Sequence, residues 1–355
     1  MATSNAQRFL ASGGDDTDIA LAMFWGTVLE TFRARTILWN TVEGEGGVGS
    51  ASAPPPVISG KVINSGKSWE FPIIGDDPTP EEHTPGVELL GQDVALDKDT
   101  IIIDKIHVAH YDIAGDHTQL SHFDVLNPFA RKLGRSLATQ FDQRLMQLGV
   151  LAARTAASTG FHSGGNVVRR ESTSVALAYA TDATGHANLS SDIADLATAM
   201  DEDNVPEEGR YIIITPYIRQ VLTMGAATQF FDKDLSNNNP NSLVQRIIGR
   251  VHGFNVLTPT NHLPTTNITT GPSQYQGNFT IQTSVGTPVV LALCGAEEGS
   301  AAVGYVAAGD EKLNPIYSFR MYDERRNTTF MKAQMMNGAD VLAPWCAGVI
   351  EVEST

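Results

Sequence analysis

The chain of 355 residues holds 24 Lys and Arg against 40 Asp and Glu, a formal charge of −16. That length exceeds what one hydrophobic core serves, so two or more core-bearing units are expected. Hydrophobic residues at 42% exclude general disorder, whereas charged residues at 18% fall below the roughly 25% of soluble domains, which leaves a surface either neutral and polar or turned toward partner subunits.

The acid excess argues against a dedicated nucleic-acid binder, whose affinity would need clustered Lys and Arg. Cys294 and Cys346 are the only cysteines; they make no disulfide framework and fit a reducing compartment. The apolar piece after Arg8 is too short for a signal peptide. No apolar run approaches the ~18 residues of a membrane span, so a soluble protein is expected.

Residues 1–16 read as a polar, mobile end. From Thr17 the spacing of Leu21, Trp25, Val28 and Phe32 predicts a helix with an aromatic stripe. With little of its own domain to pack on, it is expected to dock on a larger body, in this chain or a neighbour. Residues 41–60, rich in Gly and small residues and then Pro54, Pro55 and Pro56, read as a linker. The Gly44-x-Gly46-x-x-Gly49 string inside it lacks the strand before and the helix after that a dinucleotide site requires.

In Ser65 to Gly75, Trp69, Phe71 and Ile73 alternate with polar residues at strand period, and Pro72 confines that strand to an edge or free ribbon. An acidic, Pro-rich loop follows, and the return strand runs through Thr100 to His110. A two-stranded ribbon is marginal in water and should lie on something else. The strongest helix is predicted from about Pro128 to Arg154, with Asn127 as cap and one apolar row from Phe129 through Leu133, Leu137, Phe141 and Leu145. At 1.5 Å per residue it is a spine about 40 Å long.

Residues 155–188 read as loop. An α/β rhythm then begins: a helix after Ser190, a buried-type strand at 210–215, a helix from Pro216, a helix over 243–248, and strands at 253–258, 279–283 and 289–294. Toward the end, Tyr317, Phe319 and Met321 alternate, as do Met331, Ala333 and Met335. Asn337-Gly338 is a hairpin signal, and Trp345 to Val352 makes a last strand. These long strands are expected to cover the spine helix.

No catalytic constellation emerges, and no metal or cofactor set. His83, His107, His110, His117 and His122 cluster in sequence, but His107 and His110 point to opposite faces of a strand. Acidic pairs such as Asp76/Asp77 and Glu297/Glu298 fall in turns and helix ends. The Arg169-Arg170 and Arg325-Arg326 pairs are too small for a nucleic-acid patch and are expected to meet carboxylates here or on a neighbour. There is no GxSxG elbow and no phosphate loop.

The order of arm helix, linker, ribbon, spine helix, α/β unit and returning strands resembles the major capsid proteins of tailed phages, an α+β fold called the Hong Kong 97 type. Within that group the chain looks like the capsid protein of short-tailed podophages of the T-seven kind. The matching pieces include TVLETFRARTIL (27–38), SGKSWEFPIIG (65–75), KLGRSLA (132–138), HGFNVLTPTNHLP (252–264) and GADVLAPWCAGVIEV (338–352). The Gly/Ala/Pro insert at 43–56 departs from the pattern.

The resemblance implies an N-terminal arm (1–56), an extended loop (57–100), a peripheral domain with the spine helix (101–185), an axial domain (186–308), and strands returning to the peripheral domain (309–355). It implies no enzyme, but self-assembly into hexamers and pentamers of an icosahedral shell around double-stranded DNA, without sequence-specific binding. A scaffolding protein and a portal protein would be partners, and assembly would occur in the host bacterial cytoplasm. Trp25, Phe32, Lys67, Trp69, Phe71, Ile73, Arg325 and Arg326 are the candidate assembly-interface residues. An acidic lumen would enclose DNA without gripping it. Two alternatives stay open: an encapsulin-type nanocompartment shell, and a two-domain α/β enzyme.

Overall fold

The computed structural model describes residues 16–38, 42–43, 58–74, 80, 82–83, 88, 96–114, 126–157, 164–207, 209–224, 250–257, 260–295, 301–309 and 315–354. In chain order the first elements are α1 (Asp16–Arg35), β1 (Val42–Glu43), β2 (Ile58–Ile63), β3 (Ser68–Ile74), β4 (Leu96–Ile102), β5 (Lys105–Ala114) and the spine helix α2 (Leu126–Ala153). Next come β6 (Asn166–Glu171), α3 (Val175–Ala178), α4 (Ala183–Glu202), β7 (Tyr211–Ile214), α5 (Pro216–Met224), β8 (Arg250–Val251) and β9 (Phe254–Val256). The chain closes with β10 (Thr287–Leu293), β11 (Val303–Ala308), β12 (Ile316–Asp323), β13 (Thr328–Val341) and β14 (Ala347–Glu353).

One sheet runs β1-β2-β11-β13-β12, and β5 lies along the other edge of β13. The second runs β6-β14-β10-β7-β9-β8. The spine helix packs against β13, β11 and β5 of the first sheet and β14 and β10 of the second. Its apolar row Leu133, Leu137, Phe141, Leu145 and Leu148 is buried, as the 3.6-residue spacing requires. Among the described residues no helix is long and apolar enough to cross a membrane.

The arm helix docks inside its own chain. Phe24, Val28 and Phe32 are buried, and the Phe32 and Phe141 rings meet edge-on at 5.7 Å. The two helices approach so closely that a Cβ on Gly134 would sit 2.5 Å from the Val28 carbonyl oxygen, so a glycine is required there. At the helix exit, the backbone N–H groups of Ile37 and Leu38 donate to the Asp142 carboxylate at 2.9 and 3.3 Å.

Several expectations are corrected. Asn337-Gly338 makes no hairpin: β13 runs straight through it, pairing first with β12 and then with β11. The glycine serves a crossing, because a Cβ on Gly338 would lie 2.0 Å from the Ile102 carbonyl oxygen. The return strand is two strands. β4 pairs with β3, and after a break at Ile103-Asp104 β5 pairs with β13.

Residues 155–188 are not all loop: β6 pairs in parallel with β14, and α4 begins at Ala183 under the Asp182 cap, not after Ser190. The β6 arginines hid its signal: Arg170 is paired with Asp192, and Arg169, still exposed, stands within 4 Å of Glu353. The linker gives way to β2 at Ile58, and the 279–283 strand reduces to a single Gln282–Val285 bridge. Asn127 lies inside the first turn of α2 rather than capping it. The helix over 243–248, the acidic pairs 76/77 and 297/298, and His117 and His122 lie outside the described residues.

Candidate assembly surfaces

Among the described residues, two surfaces expose large apolar side chains in groups. The first is the β3–β4 ribbon, a sheet of two strands only. Its base is anchored by a small cluster of Ile63, Ile101, Val306 and Leu342, with Phe71 and Ile103 packed against it. Glu70 and Lys98 form a cross-strand ion pair at 2.9 Å, exposed and therefore worth little. Trp69 stays 41% exposed, with the Lys61 ammonium 5.1 Å over its ring.

The second is the outer face of the first sheet. Alternate residues of β13 (Met331, Ala333, Met335) are buried toward the spine helix, so their neighbours point away. Register puts Phe319 opposite Lys332, Met321 opposite Phe330, Val108 opposite Gln334 and Ile106 opposite Met336. Phe319, Met321, Val108 and Ile106 are exposed. Sequence reading saw the alternation at Phe319 and Met321 but sent it toward the spine. Only the opposite set faces it: Ile316, Ser318 and Arg320 register with the buried Met335, Ala333 and Met331, so in β12 the more apolar set points outward and the period misleads.

The remaining sequence candidates divide. Trp25 lies in α1, its side chain outside the described residues. Phe32 is fully buried in the subunit. Lys67 is exposed, and its carbonyl accepts from the Ile103 N–H at 2.8 Å. Phe71 and Ile73 are half-buried against the small and main clusters. The Arg325 N–H donates to Asp323 at 3.0 Å, and the Arg326 guanidinium lies 3.9 Å from the same carboxylate. The structure does not bring these residues to one place; Lys67, Trp69, Phe71 and Ile73 share the ribbon.

Buried ionic networks brace the interior. Arg144 pairs with Asp104 at 3.2 Å, stacks 4.0 Å from the Tyr275 ring and contacts His107. Burial and the Arg144 charge push the His107 imidazole below its ordinary range. Glu351 is fully buried but receives Arg154 at 2.6 Å and the Gly286 N–H at 3.3 Å. Asp192 takes Arg170 at 2.7 Å and the Tyr179 hydroxyl at 2.6 Å. Burial raises the Asp142 carboxyl to about 7, against the pull of its two backbone donors.

Nothing in these networks forms a nucleophile and base facing open space. A cleft of about 500 Å³ between the spine and the 261–275 segment is lined mainly by Gln, Asn, Thr and His. Cys294 and Cys346 are buried, and burial lifts the Cys294 thiol to about 11. Among the described residues no three His, Cys, Asp or Glu side chains are grouped to hold a metal.

No curated protein matches the chain. Among solved structures it is similar to the capsid of Cyanophage P-SCSP1u, at 26% identity over 88% of this chain and 93% of that one, with a TM-score of 0.68. It also shares its fold with the mature capsid of bacteriophage PhiM1, at 15% identity over 87% and 90% of the two chains and a TM-score of 0.63. A third likeness is to Mycobacterium phage Che8, at 14% identity over 81% and 85% and a TM-score of 0.54. The pattern of the family described as Gp10A-like major capsid protein matches residues 70–351, a span that includes the ribbon from Glu70 on, the spine and most of both sheets. It favours the phage shell over the nanocompartment and enzyme alternatives. The chain therefore belongs to the Gp10A-like major capsid proteins, structural and non-enzymatic subunits of phage-type icosahedral shells.

Proposed function

We propose that this subunit closes hexamers and pentamers of a Hong Kong 97-type shell of a T-seven-like podophage, built with a scaffolding protein and a portal protein in the host cytoplasm around double-stranded DNA. In this reading the chain divides into arm (1–56), extended loop (57–100), peripheral domain (101–185 and 309–355) and axial domain (186–308). The observation that carries it is the β3–β4 ribbon, anchored at its base and left open around Trp69. Such a ribbon gains partners by lying across a neighbour, and head-to-tail contacts of this kind close into rings when the rotation permits. Lys67 shares the ribbon, while Arg325 and Arg326 at the β12–β13 turn form a separate contact.

Changing Trp69 to Asp tests it. The side chain contributes little to the subunit core, so Trp69→Asp subunits should stay soluble and keep their melting temperature within about 2 °C. A buried, unpaired carboxylate at a neighbour's surface would block shell formation. Normal shells of the variant in negative-stain electron micrographs would remove the ribbon from the interface.

A further inference from the structure

Cys294 and Cys346 are the only cysteines of the chain, and the fold sets them opposite each other. β10 and β14 pair antiparallel with Leu293 opposite Ala347, which makes Cys294 and Cys346 the next pair along. The Cys294 N–H donates to the Cys346 carbonyl at 2.9 Å. Opposed residues of an antiparallel pair send their side chains to one face. That face is the one away from the spine. A Cβ on Gly149 of the spine would lie 3.0 and 3.1 Å from Leu291 and Leu293, so the alternate residues Ala292 and Cys294 point the other way. There Gly348, opposite Ala292, meets Leu196 of α4, and the Cys294 thiol reaches the Pro206 carbonyl at 3.4 Å. Both cysteines are thiols, not a disulfide, and both are fully buried.

The spacing suits a covalent bond. A hydrogen-bonded antiparallel pair holds its Cα atoms about 5.5 Å apart, inside the roughly 4.4–6.8 Å that disulfides span. Its Cβ atoms stand about 4.5–5.5 Å apart, up to about 1 Å beyond disulfide range, so the two ends must close slightly. They have slack to do so, because the second bond of such a pair is not made. The Cys346 N–H donates instead to Ala343 at 3.1 Å, in the short turn before β14. The position matters as well. After Cys294 the chain leaves the second sheet for β11 of the first, and just before Cys346 it returns from β13. The two crossings run side by side, with Gly295 bridged to Ala301 and the Leu342 N–H donating to Ala302.

We propose that Cys294 and Cys346 are a modification site, where oxidation forms a disulfide that bolts the two crossings together and fixes one sheet against the other. This goes beyond the shell reading and does not depend on it, since the bond lies within one subunit. A peroxide is the oxidant that fits, being small enough to enter a buried site that excludes bulkier disulfides. One thiolate attacks a peroxide oxygen, the O–O bond breaks, and a sulfenic acid and water result. The second thiol displaces water from that sulfur and the S–S bond forms, so both sulfurs are oxidised and the peroxide oxygens end as two waters. Burial pushes the Cys294 thiol up to about 11, which keeps thiolate scarce near neutrality and makes the bond slow to form. A reducing compartment keeps the pair open.

The test exposes the full-length protein to hydrogen peroxide at pH 8 for several hours, blocks remaining thiols with N-ethylmaleimide under denaturing conditions, and maps the unreduced peptides. The expected product is a peptide pair joined through Cys294 and Cys346, about 2 Da lighter than the two thiol peptides, from chains that run singly on a non-reducing gel. The bond closes a loop of roughly 50 residues, so the melting temperature should rise by about 2–5 °C and fall back with dithiothreitol. Cys294→Ala and Cys346→Ala proteins should show neither link nor rise. The wild-type comparison with and without peroxide carries the test if an alanine variant fails to fold. Thiols still alkylated at both positions, sulfinic acid in place of the link, or chains joined to each other overturn the proposal. A link with no rise in melting temperature overturns the brace.

Discussion

Asp142 joins the arm to the spine through a single carboxylate. It is fully buried, holds the Ile37 and Leu38 N–H groups, and has the His262 ring 3.9 Å away. Burial keeps His262 below its ordinary range, so that ring supplies little positive charge near neutrality. The Asp142 carboxyl titrates near 3.8 unfolded and about 7 folded. Between those values the native state holds a proton that the unfolded state has released. Stability therefore falls as pH rises through that window and levels off above it, by at most about 4 kcal/mol at 1.36 kcal/mol per unit. Asp142→Asn removes this slope. Its carbonyl still accepts from Ile37, at the cost of one bond, about 1 kcal/mol. Urea unfolding of unassembled subunits should find wild type ahead by about 1 kcal/mol at pH 3, the two about level near pH 4.5, and the variant ahead at pH 8. Parallel pH profiles would show that Asp142 does not titrate on folding. None of this is legible from sequence, where Asp142 is one polar residue between Phe141 and Gln143; only the partner 105 residues away explains it.

At the scale of elements, what could be read depended on whether a strand or helix carries its own signal. The spine helix does: its apolar row repeats over seven turns, so its span was legible to within about two residues. β6 does not, because Arg169 and Arg170 sit in a strand whose charges are answered by Glu353 and Asp192. β13 shows both behaviours. Its alternation marked a strand, while its Asn-Gly pair suggested a turn that the fold does not make. That glycine is held by the chain crossing at Ile102, so Gly338→Ala should cost about 2–4 kcal/mol by forcing apart backbone that cannot rotate away. Guanidinium unfolding of the subunit reads it. A loss under about 0.5 kcal/mol would mean the crossing relaxes freely.

Across the whole molecule, the first sheet is packed by α1 and α2 on one side and open on the other, where Phe319, Met321, Val108 and Ile106 are exposed. A neighbour on that second side would account in part for the low charged fraction, 18%, because interface cores are depleted in charge. The ribbon was legible from alternation at Trp69 and Phe71; the sheet face was not, because which way Phe319 points is set by register with β13, a long-range fact. Its consequence is a separate test of assembly. Phe319 and Met321 are 42% and 50% exposed, and Lys332 beside Phe319 can answer a new carboxylate. Phe319→Asp/Met321→Asp should therefore change subunit stability by no more than about 1 kcal/mol. If a neighbouring subunit covers this face, two buried carboxylates would each cost several kcal/mol there, and sedimentation should show free subunits where wild type gives shells. Trp69→Asp and this variant then report on different contacts. Shells of normal yield from the sheet-face variant, beside a failed Trp69→Asp, would leave the ribbon as the contact and return the outer sheet face to solvent.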